Sequence, residues 1–361
     1  MARQQQRSGL LAQEIPGQPG DGIDTGSSAV VGGVTAADGM SAGEALSSYL
    51  RVQATGFMRG LGVRAQDETQ ADALLRASAR RIAGVLHTYG DLADPGWAEA
   101  MRAELGWLAA TLGREPQYVG RLGQLLAALR RLSAVAVPEE AAAPVAVVAG
   151  ATAVASEPPL AVGAARAGAL LERQLTLART RAHSATLQAM GSARFHALAD
   201  SIAVLASEVP LTGSAAEPAG AVLPPLAAQA HKRLAEAAGT LPLRRAGHPY
   251  NAEAVQAALG AELTSDLQDA PWHQVRILLR LSRYAAEVPG AGGRDDPRLG
   301  DASAVLQRHH EAAESASAVA SAARTPRIAP ATAYALGVLH ADQRHEVEAA
   351  RFAFSRLWQT S

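Results

Sequence analysis

Arginine side chains recur at four-residue spacing in two segments of the sequence. Arg76 and Arg80 form one pair, and Arg276 and Arg280 form the other. Because residues four apart lie on the same face of an α-helix, each pair predicts a cationic stripe along one helix. Neighbouring like charges repel, so each stripe requires either Asp and Glu on adjacent helices or an anionic ligand. Guanidinium groups match phosphate oxygens in a bidentate manner, which makes a phosphate-bearing ligand a direct chemical hypothesis.

The overall charge does not strengthen that attraction. The chain of 361 residues carries 33 basic and 34 acidic side chains, for a net charge of -1. Whole-protein attraction to nucleic acid or to a membrane surface is therefore not predicted, and only a local basic patch can attract a polyanion. Lys232 is the single lysine, so arginine supplies nearly all the positive charge. A GC-rich genome would also explain the abundance of arginine and alanine.

Residue types and motifs give no indication of an enzyme. The sequence has no cysteine, which excludes disulfides, a thiolate nucleophile and sulfur-ligated metals. His310, Glu311 and Glu314, together with His309, resemble a helical metal motif, but exposed His and Glu on an amphipathic helix are much commoner. A glycine-rich phosphate loop, a nucleophile elbow and a catalytic carboxylate pair are missing as sequence patterns. We therefore predict no catalytic residue, no metal site and no cofactor.

The elements that position these residues are predicted to be helices. Alanine, leucine and arginine favour helix, whereas β-branched and aromatic runs are thin. The fold class is therefore all-α, with two antiparallel helical bundles. The predicted divisions are a disordered tail over 1–38, a first bundle over 39–133, an Ala/Pro-rich linker over 134–160 and a second bundle over 161–361.

Caps and prolines set the predicted helix bounds. Ser41 and Glu44 have the spacing of a capping box, which begins the first helix. Later helices are predicted at about 69–89, 95–112, 116–132, 162–190, 193–207, 225–238, 252–263, 271–288, 301–323 and 330–358. A secretion signal and an apolar stretch of membrane-spanning length are both missing from the pattern, so a cytoplasmic protein without a membrane partner is expected.

The order of several segments resembles the CHAD family, a helical domain named after its characteristic histidines. The segments that carry the resemblance are Ser41-Ala42-Gly43-Glu44-Ala45-Leu46, Leu75-Arg76 with Arg80-Arg81, Glu104-Leu105 with Trp107-Leu108, Arg179-Thr180-Arg181-Ala182-His183 with Arg194-Phe195, His273-Gln274-Val275-Arg276-Ile277 with Arg280 and Arg283-Tyr284, and Tyr334-Ala335-Leu336-Gly337 through to Trp358. Together they cover most of the chain, from Ser41 to Gln359.

The resemblance implies two similar, pseudo-symmetric four-helix bundles with a basic groove that binds inorganic polyphosphate, often at polyphosphate granules. The positions that would carry this binding are Arg76, Arg80, Arg81, Arg181, His183, Arg194, His231, Lys232, Arg233, His273, Arg276, Arg280 and Arg283. Each would donate charge-assisted hydrogen bonds to phosphate oxygens, and a polymer would engage several at once.

This sequence departs from the family pattern chiefly in its first half. Ala73 stands where the helix of the first half should carry a histidine equivalent to His273. Pro116, Gln117 and Val119 replace an Arg-Asp-x-Asp run. The cationic surface is therefore thinned relative to the family.

Two other functions remain open at this point. One is a degenerate helical scaffold that binds protein partners and whose arginines pair internally with Asp and Glu. It predicts a carboxylate near each of Arg76, Arg80, Arg276 and Arg280. The other is nucleic-acid binding, since phosphate contacts alone do not distinguish polymers. Because Tyr284 is the one aromatic residue among the arginine stripes, base stacking has little support and nucleic acid is an unlikely partner.

Overall fold

The protein is described by a computed structural model over residues 39–135, 159–248, 265–292 and 296–359. Every regular element in these ranges is a helix, and two isolated β-bridges are the exceptions. The α-helices are α1 (Ala42–Val63), α2 (Glu68–Tyr89), α3 (Pro95–Val135), α4 (Pro159–Met190), α5 (Ala193–Leu205), α6 (Ala219–Gly239), α7 (Leu243–Ala246), α8 (Ser265–Ala286), α9 (Pro297–Ala323) and α10 (Pro330–Gln359). The all-α prediction is confirmed. In the described ranges, none of the helices has the length and apolar content needed to cross a membrane.

The predicted capping box begins α1. The Ser41 hydroxyl accepts a hydrogen bond from the Glu44 backbone N–H at 3.2 Å, and the Glu44 carboxylate accepts one from the Ser41 backbone N–H at 2.8 Å. These two bonds satisfy backbone donors that a helix start leaves without partners. The start of α1 is therefore encoded in four consecutive residues.

Helix α3 differs from the prediction of two helices over 95–112 and 116–132. It is a single helix of 41 residues with Pro116 inside it. An internal proline removes one helical hydrogen bond and costs about 3 kcal/mol. Packing on both sides of the proline offsets this cost, because Leu105 and Leu108 are fully buried in one core and Leu125 in another. Each buried leucine contributes roughly 1.5–3 kcal/mol.

Helix α6 also continues through its prolines. The prediction placed a loop before Pro225, whereas the helix begins at Ala219 and contains both Pro224 and Pro225. Ala219 and Leu223 are buried in the first core, so packing fixes this turn as helix.

Two more helices begin earlier than predicted. Helix α8 begins at Ser265 and contains Pro271, and α9 begins at Pro297. The predicted helix over 252–263 lies outside the described residues.

Three hydrophobic cores hold the helices together, and each combines elements from distant parts of the chain. The first contains α1, α2 and the N-terminal part of α3, together with α5, the start of α6 and the end of α8. The second joins the C-terminal part of α3 to α4, α9 and α10, and the third joins α6, α7 and α8 to the other ends of α9 and α10. The Tyr89 hydroxyl donates a hydrogen bond to the Ala285 carbonyl at 2.8 Å, which ties α2 directly to α8.

The predicted domain division stays a prediction. The tail over 1–38 and most of the linker over 134–160 lie outside the described residues. Within the described residues, however, the two sequence halves are interleaved, because the first core is completed by residues of α5, α6 and α8. This interleaving brings α2 and α8 side by side.

Candidate anion-binding cleft

The contact between α2 and α8 places the two predicted arginine pairs in one group, here called the arginine cluster: Arg76, Arg80, Arg276 and Arg280. Burial, together with the charges of Arg280 and Arg76, lowers the pKa of Arg80 to about 10. Burial likewise lowers the pKa of Arg276 to about 10, with Arg280 and Arg80 contributing. Each half of the sequence thus supplies two guanidinium groups to the same positive field.

A cavity of about 430 Å³ opens beside this cluster and is here called the cleft. Its size lies in the range of small-molecule sites. Side chains from four helices line it, namely Arg76 and Arg80 of α2, Pro116, Gln117, Gly120, Arg121 and Gln124 of α3, Arg276 of α8, and Gln307, His310, Glu311 and Glu314 of α9.

The arginine cluster makes no ion pair among the described residues. None of its four members has a carboxylate oxygen within ion-pair distance there. One terminal nitrogen of Arg276 donates to Gln307 Oε1 at 2.9 Å, and its Nε is buried with no hydrogen-bond partner in the described part of the chain. The scaffold hypothesis predicted a carboxylate near each of these arginines. Glu314 and Glu311 act on Arg276 through their charges, but none of the four arginines is ion-paired with a carboxylate among the described residues.

Helix α9 forms a mixed wall opposite the arginines. Gln307, His310, Glu311 and Glu314 fall on one helical face, and Glu311 accepts a hydrogen bond from Gln307 Nε2 at 2.8 Å. Burial lowers the pKa of His310 to about 3, and the positive charge of Arg276 adds to this shift. His310 is therefore neutral at neutral pH in the unliganded protein.

His273 lies next to this wall. Its ring centroid is 5.0 Å from that of His310, and its Nδ1 is 3.4 Å from a terminal nitrogen of Arg276. Burial lowers the pKa of His273, and Arg276 and Arg280 act in the same direction. His273 lines a neighbouring cavity of about 260 Å³ that shares His310 and Glu314 with the cleft.

Helix α3 supplies a cation that sequence reasoning missed. The Arg121 side chain is 14% exposed, lines the cleft and pairs with Glu314 at 2.8 Å. It lies one turn beyond Pro116 and Gln117, where the family's charged run is replaced. The spacing of Gln117, Arg121 and Gln124 is helical, but it becomes informative only once α3 is known to continue through Pro116.

Three other predicted binding residues are already neutralised by carboxylates. Arg81 pairs with Glu287 at 3.1 Å, and Arg194 makes two hydrogen bonds to Glu104 at 2.6 and 3.1 Å. Lys232 lies 3.9 Å from Glu236 on the exposed face of α6. None of the three lines the cleft.

His183 also has an acidic partner, since its Nδ1 lies 2.9 Å from Glu115.

The remaining predicted residues lie on exposed surfaces outside the cleft. Arg181 of α4 and Arg283 of α8 are exposed. Arg233 lines a small separate cavity between α2, α6 and α8. His231 is exposed on α6, with its Nδ1 3.5 Å from the Ser282 hydroxyl. The structure thus brings together His273, Arg276 and Arg280 with Arg76 and Arg80. The other predicted binding residues lie outside this group.

His309 lies on the core side of α9. It stacks on Trp272, with ring centroids 5.4 Å apart, and its Nε2 accepts a hydrogen bond from Arg351 Nε at 3.2 Å. It therefore points away from the cleft face occupied by His310. In the described residues, no three His, Asp or Glu side chains are grouped as metal ligands.

Comparisons with known proteins identify the family. A sequence model of the CHAD domain matches residues 59–319. The solved structure of PptA from Streptomyces chartreusis is similar to this chain, with a TM-score of 0.72 and 53% sequence identity, over 88% of this chain and 99% of that chain. No curated protein matches the chain. The chain belongs to the CHAD family, which is known from polyphosphate-related proteins, and the resemblance inferred from the sequence is confirmed.

Proposed function

We propose that the protein binds inorganic polyphosphate, without a chemical step, through the arginine cluster and the cleft beside it. The observation that carries this proposal is that Arg76, Arg80, Arg276 and Arg280 lie close together and make no ion pair among the described residues. Burying charges without partners is unfavourable, and sites that keep such charges are candidates for binding or catalysis. A bound polyanion would supply the missing negative charge.

Polyphosphate fits the chemistry of this site better than a single phosphate does. The cluster presents several guanidinium groups along two neighbouring helices, and a chain with a repeating negative charge can reach more than one of them. Linked contacts raise the overall affinity because the later ones form at a high effective concentration. Each guanidinium would donate charge-assisted hydrogen bonds to phosphate oxygens.

Localisation follows from the same proposal. A protein that binds the polymer by charge would collect wherever polyphosphate accumulates, and we expect it at polyphosphate granules in the cytoplasm. Its role there would be to bind the granule or to connect it to protein partners.

The direct test is binding of a fluorescently labelled long-chain polyphosphate to the full-length protein across a salt series, with double-stranded DNA as competitor. We expect affinity that falls as salt rises and that DNA does not abolish. Arg80→Gln combined with Arg276→Gln should weaken binding by more than about 100-fold, since each of the two lost charge-assisted hydrogen bonds is worth roughly 1.5–3 kcal/mol.

The matched control is Arg59→Gln combined with Arg130→Gln. Both of these arginines are exposed and lie outside the cleft, so the control changes the net charge equally. Circular dichroism checks that all variants keep their helicity. Equal weakening by the control would show that overall charge, and not the cleft, binds the polymer. No binding at low salt would refute the proposal and favour a scaffold with protein partners.

A further inference from the structure

One ion pair crosses the cleft between its α3 and α9 walls. An Arg121 terminal nitrogen lies 2.8 Å from Glu314 Oε2, and both side chains line the cavity. The two partners differ in exposure: Arg121 is 14% exposed, whereas Glu314 is 49% exposed. Arg121 is also held over the Tyr118 ring, 5.6 Å from its centroid. The arginine is therefore fixed in place, and the carboxylate is the partner that can move into solvent.

The second carboxylate of the cleft is engaged differently. Glu311 accepts a hydrogen bond from Gln307, and Gln307 in turn accepts one from Arg276. Glu311 thus acts on Arg276 through a neutral side chain and leaves the guanidinium without direct pairing. Glu314 is the cleft carboxylate that pairs directly with a cleft arginine among the described residues.

We propose that Glu314 is an internal anion that competes with polyphosphate for Arg121. The inference rests on the proposed function of the cleft. A phosphate oxygen and a carboxylate oxygen accept the same hydrogen bonds from a guanidinium group, so a polyphosphate unit can replace Glu314 at Arg121. Glu314 would then swing into solvent while the Tyr118 ring keeps Arg121 in position.

This competition lowers affinity and changes the salt dependence. While Glu314 neutralises Arg121, a ligand gains little by reaching that arginine, and no counter-ion is released there. Removing the charge of Glu314 turns Arg121 into an additional phosphate contact. For a single-stranded polyanion, each added contact steepens the slope of log affinity against log salt by about 0.7.

The test compares four variants of the full-length protein with the unmodified protein, using labelled long-chain polyphosphate over a salt series. The variants are Glu314→Gln, Arg121→Gln, the two combined, and Asp301→Asn. Asp301 lies on the same helix, α9, is exposed and does not line the cleft, so Asp301→Asn is matched in net charge to Glu314→Gln.

We expect Glu314→Gln to tighten binding about fivefold at low salt, consistent with an exchange between partly exposed ion pairs. We also expect its salt slope to be steeper by about 0.7. Asp301→Asn should change neither quantity, and the double variant should return to the slope of the unmodified protein.

Two outcomes overturn the inference: equal behaviour of Glu314→Gln and Asp301→Asn, or a steeper slope that survives the loss of Arg121. Failure of the proposed function would be seen separately, as no binding by either the unmodified protein or Glu314→Gln. Binding by Glu314→Gln alone would support the inference, because it would show that Glu314 masks the site.

Discussion

Two groups of arginines lie next to helix α8, and they differ in what balances their charge. Near the start of α8, Asp269 lies 2.7 Å from Arg344 and 2.5 Å from Arg351, and Glu348 lies 2.6 Å from Arg351. Two turns further along the same helix begins the arginine cluster, where the described residues provide no such partner for Arg276. The group formed by Asp269, Arg344, Glu348 and Arg351 is here called the Asp269 network.

Burial alone does not distinguish an arginine that stabilises the fold from an arginine that is available to bind a ligand. Burial lowers the pKa of Arg351, but Glu348 and Asp269 act against that effect. Around Arg276 the charges of Arg280 and Arg80 add to the effect of burial, and Glu314 and Glu311 oppose them only in part. The Asp269 network is complete in itself and joins α8 to α10, whereas the arginine cluster has no such ion pair among the described residues.

The largest expected effect comes from removing the central anion of the Asp269 network. Asp269→Ala leaves Arg344 and Arg351 with one fewer partner in a largely buried position, which should lower the free energy of unfolding by about 3 kcal/mol. Urea unfolding at neutral pH measures the change, with Asp301→Asn as an exposed control. A loss no greater than that of the control would mean that the network contributes little to stability.

A smaller effect of opposite sign is expected in the arginine cluster. Arg276→Gln removes a charge whose folded-state pKa is lowered to about 10 by burial and by neighbouring arginines. A depressed pKa in a base means that its charged form is destabilising at neutral pH, so neutralisation should stabilise the unliganded protein by about 1 kcal/mol.

Thermal and urea unfolding without polyphosphate, at low salt, test this expectation. Arg59→Gln, at an exposed position of α1, serves as the reference. Destabilisation by Arg276→Gln relative to this reference would contradict the prediction. It would show that the charge of Arg276 is balanced within the fold, as the charges of the Asp269 network are.

The smallest effect is expected at Arg194, which the family resemblance placed among the binding residues. Two hydrogen bonds to Glu104 and the Trp107 ring, 4.1 Å from the guanidinium carbon, already satisfy this side chain. Arg194→Gln should leave polyphosphate affinity within about twofold and change stability little, because exposed ion pairs contribute little to folding. A large drop in affinity, measured in the same binding assay, would extend the binding surface beyond the cleft to α5.

Local signals in the sequence were sufficient for most of the fold. The capping box at Ser41 and the apolar spacing of α1 and α2 gave elements that match the structure closely. The prediction failed where it ended a helix, or placed a loop, at a proline. In the structure, packing outweighs the helix-breaking effect of these prolines. Pro116 and Pro224 lie inside helices because leucines next to them are buried in cores formed with distant segments.

The candidate site was predictable in part. The matching arginine pairs identified both helices of the cluster, because the i and i+4 spacing is a local property. Their proximity depends on contacts between α2 and α8, and the ion pair of Arg121 with Glu314 joins residues 193 positions apart. Single-sequence periodicity carries no information about which helix faces which, so the opposing charges of the cleft could not be anticipated.

The composition of the first core has a consequence for biosynthesis. Leu46, Leu75 and Leu105 emerge early from the ribosome, but Ala285 and Val288, which complete the same core, are made much later. At about 5–20 residues per second, the delay is on the order of ten seconds or more. The apolar parts of α1, α2 and α3 that these later residues cover therefore stay exposed on the nascent chain, where chaperones can reach them. The arginines of α2 and α8 can meet only after Arg280 has been made, so the cleft is assembled long after α2.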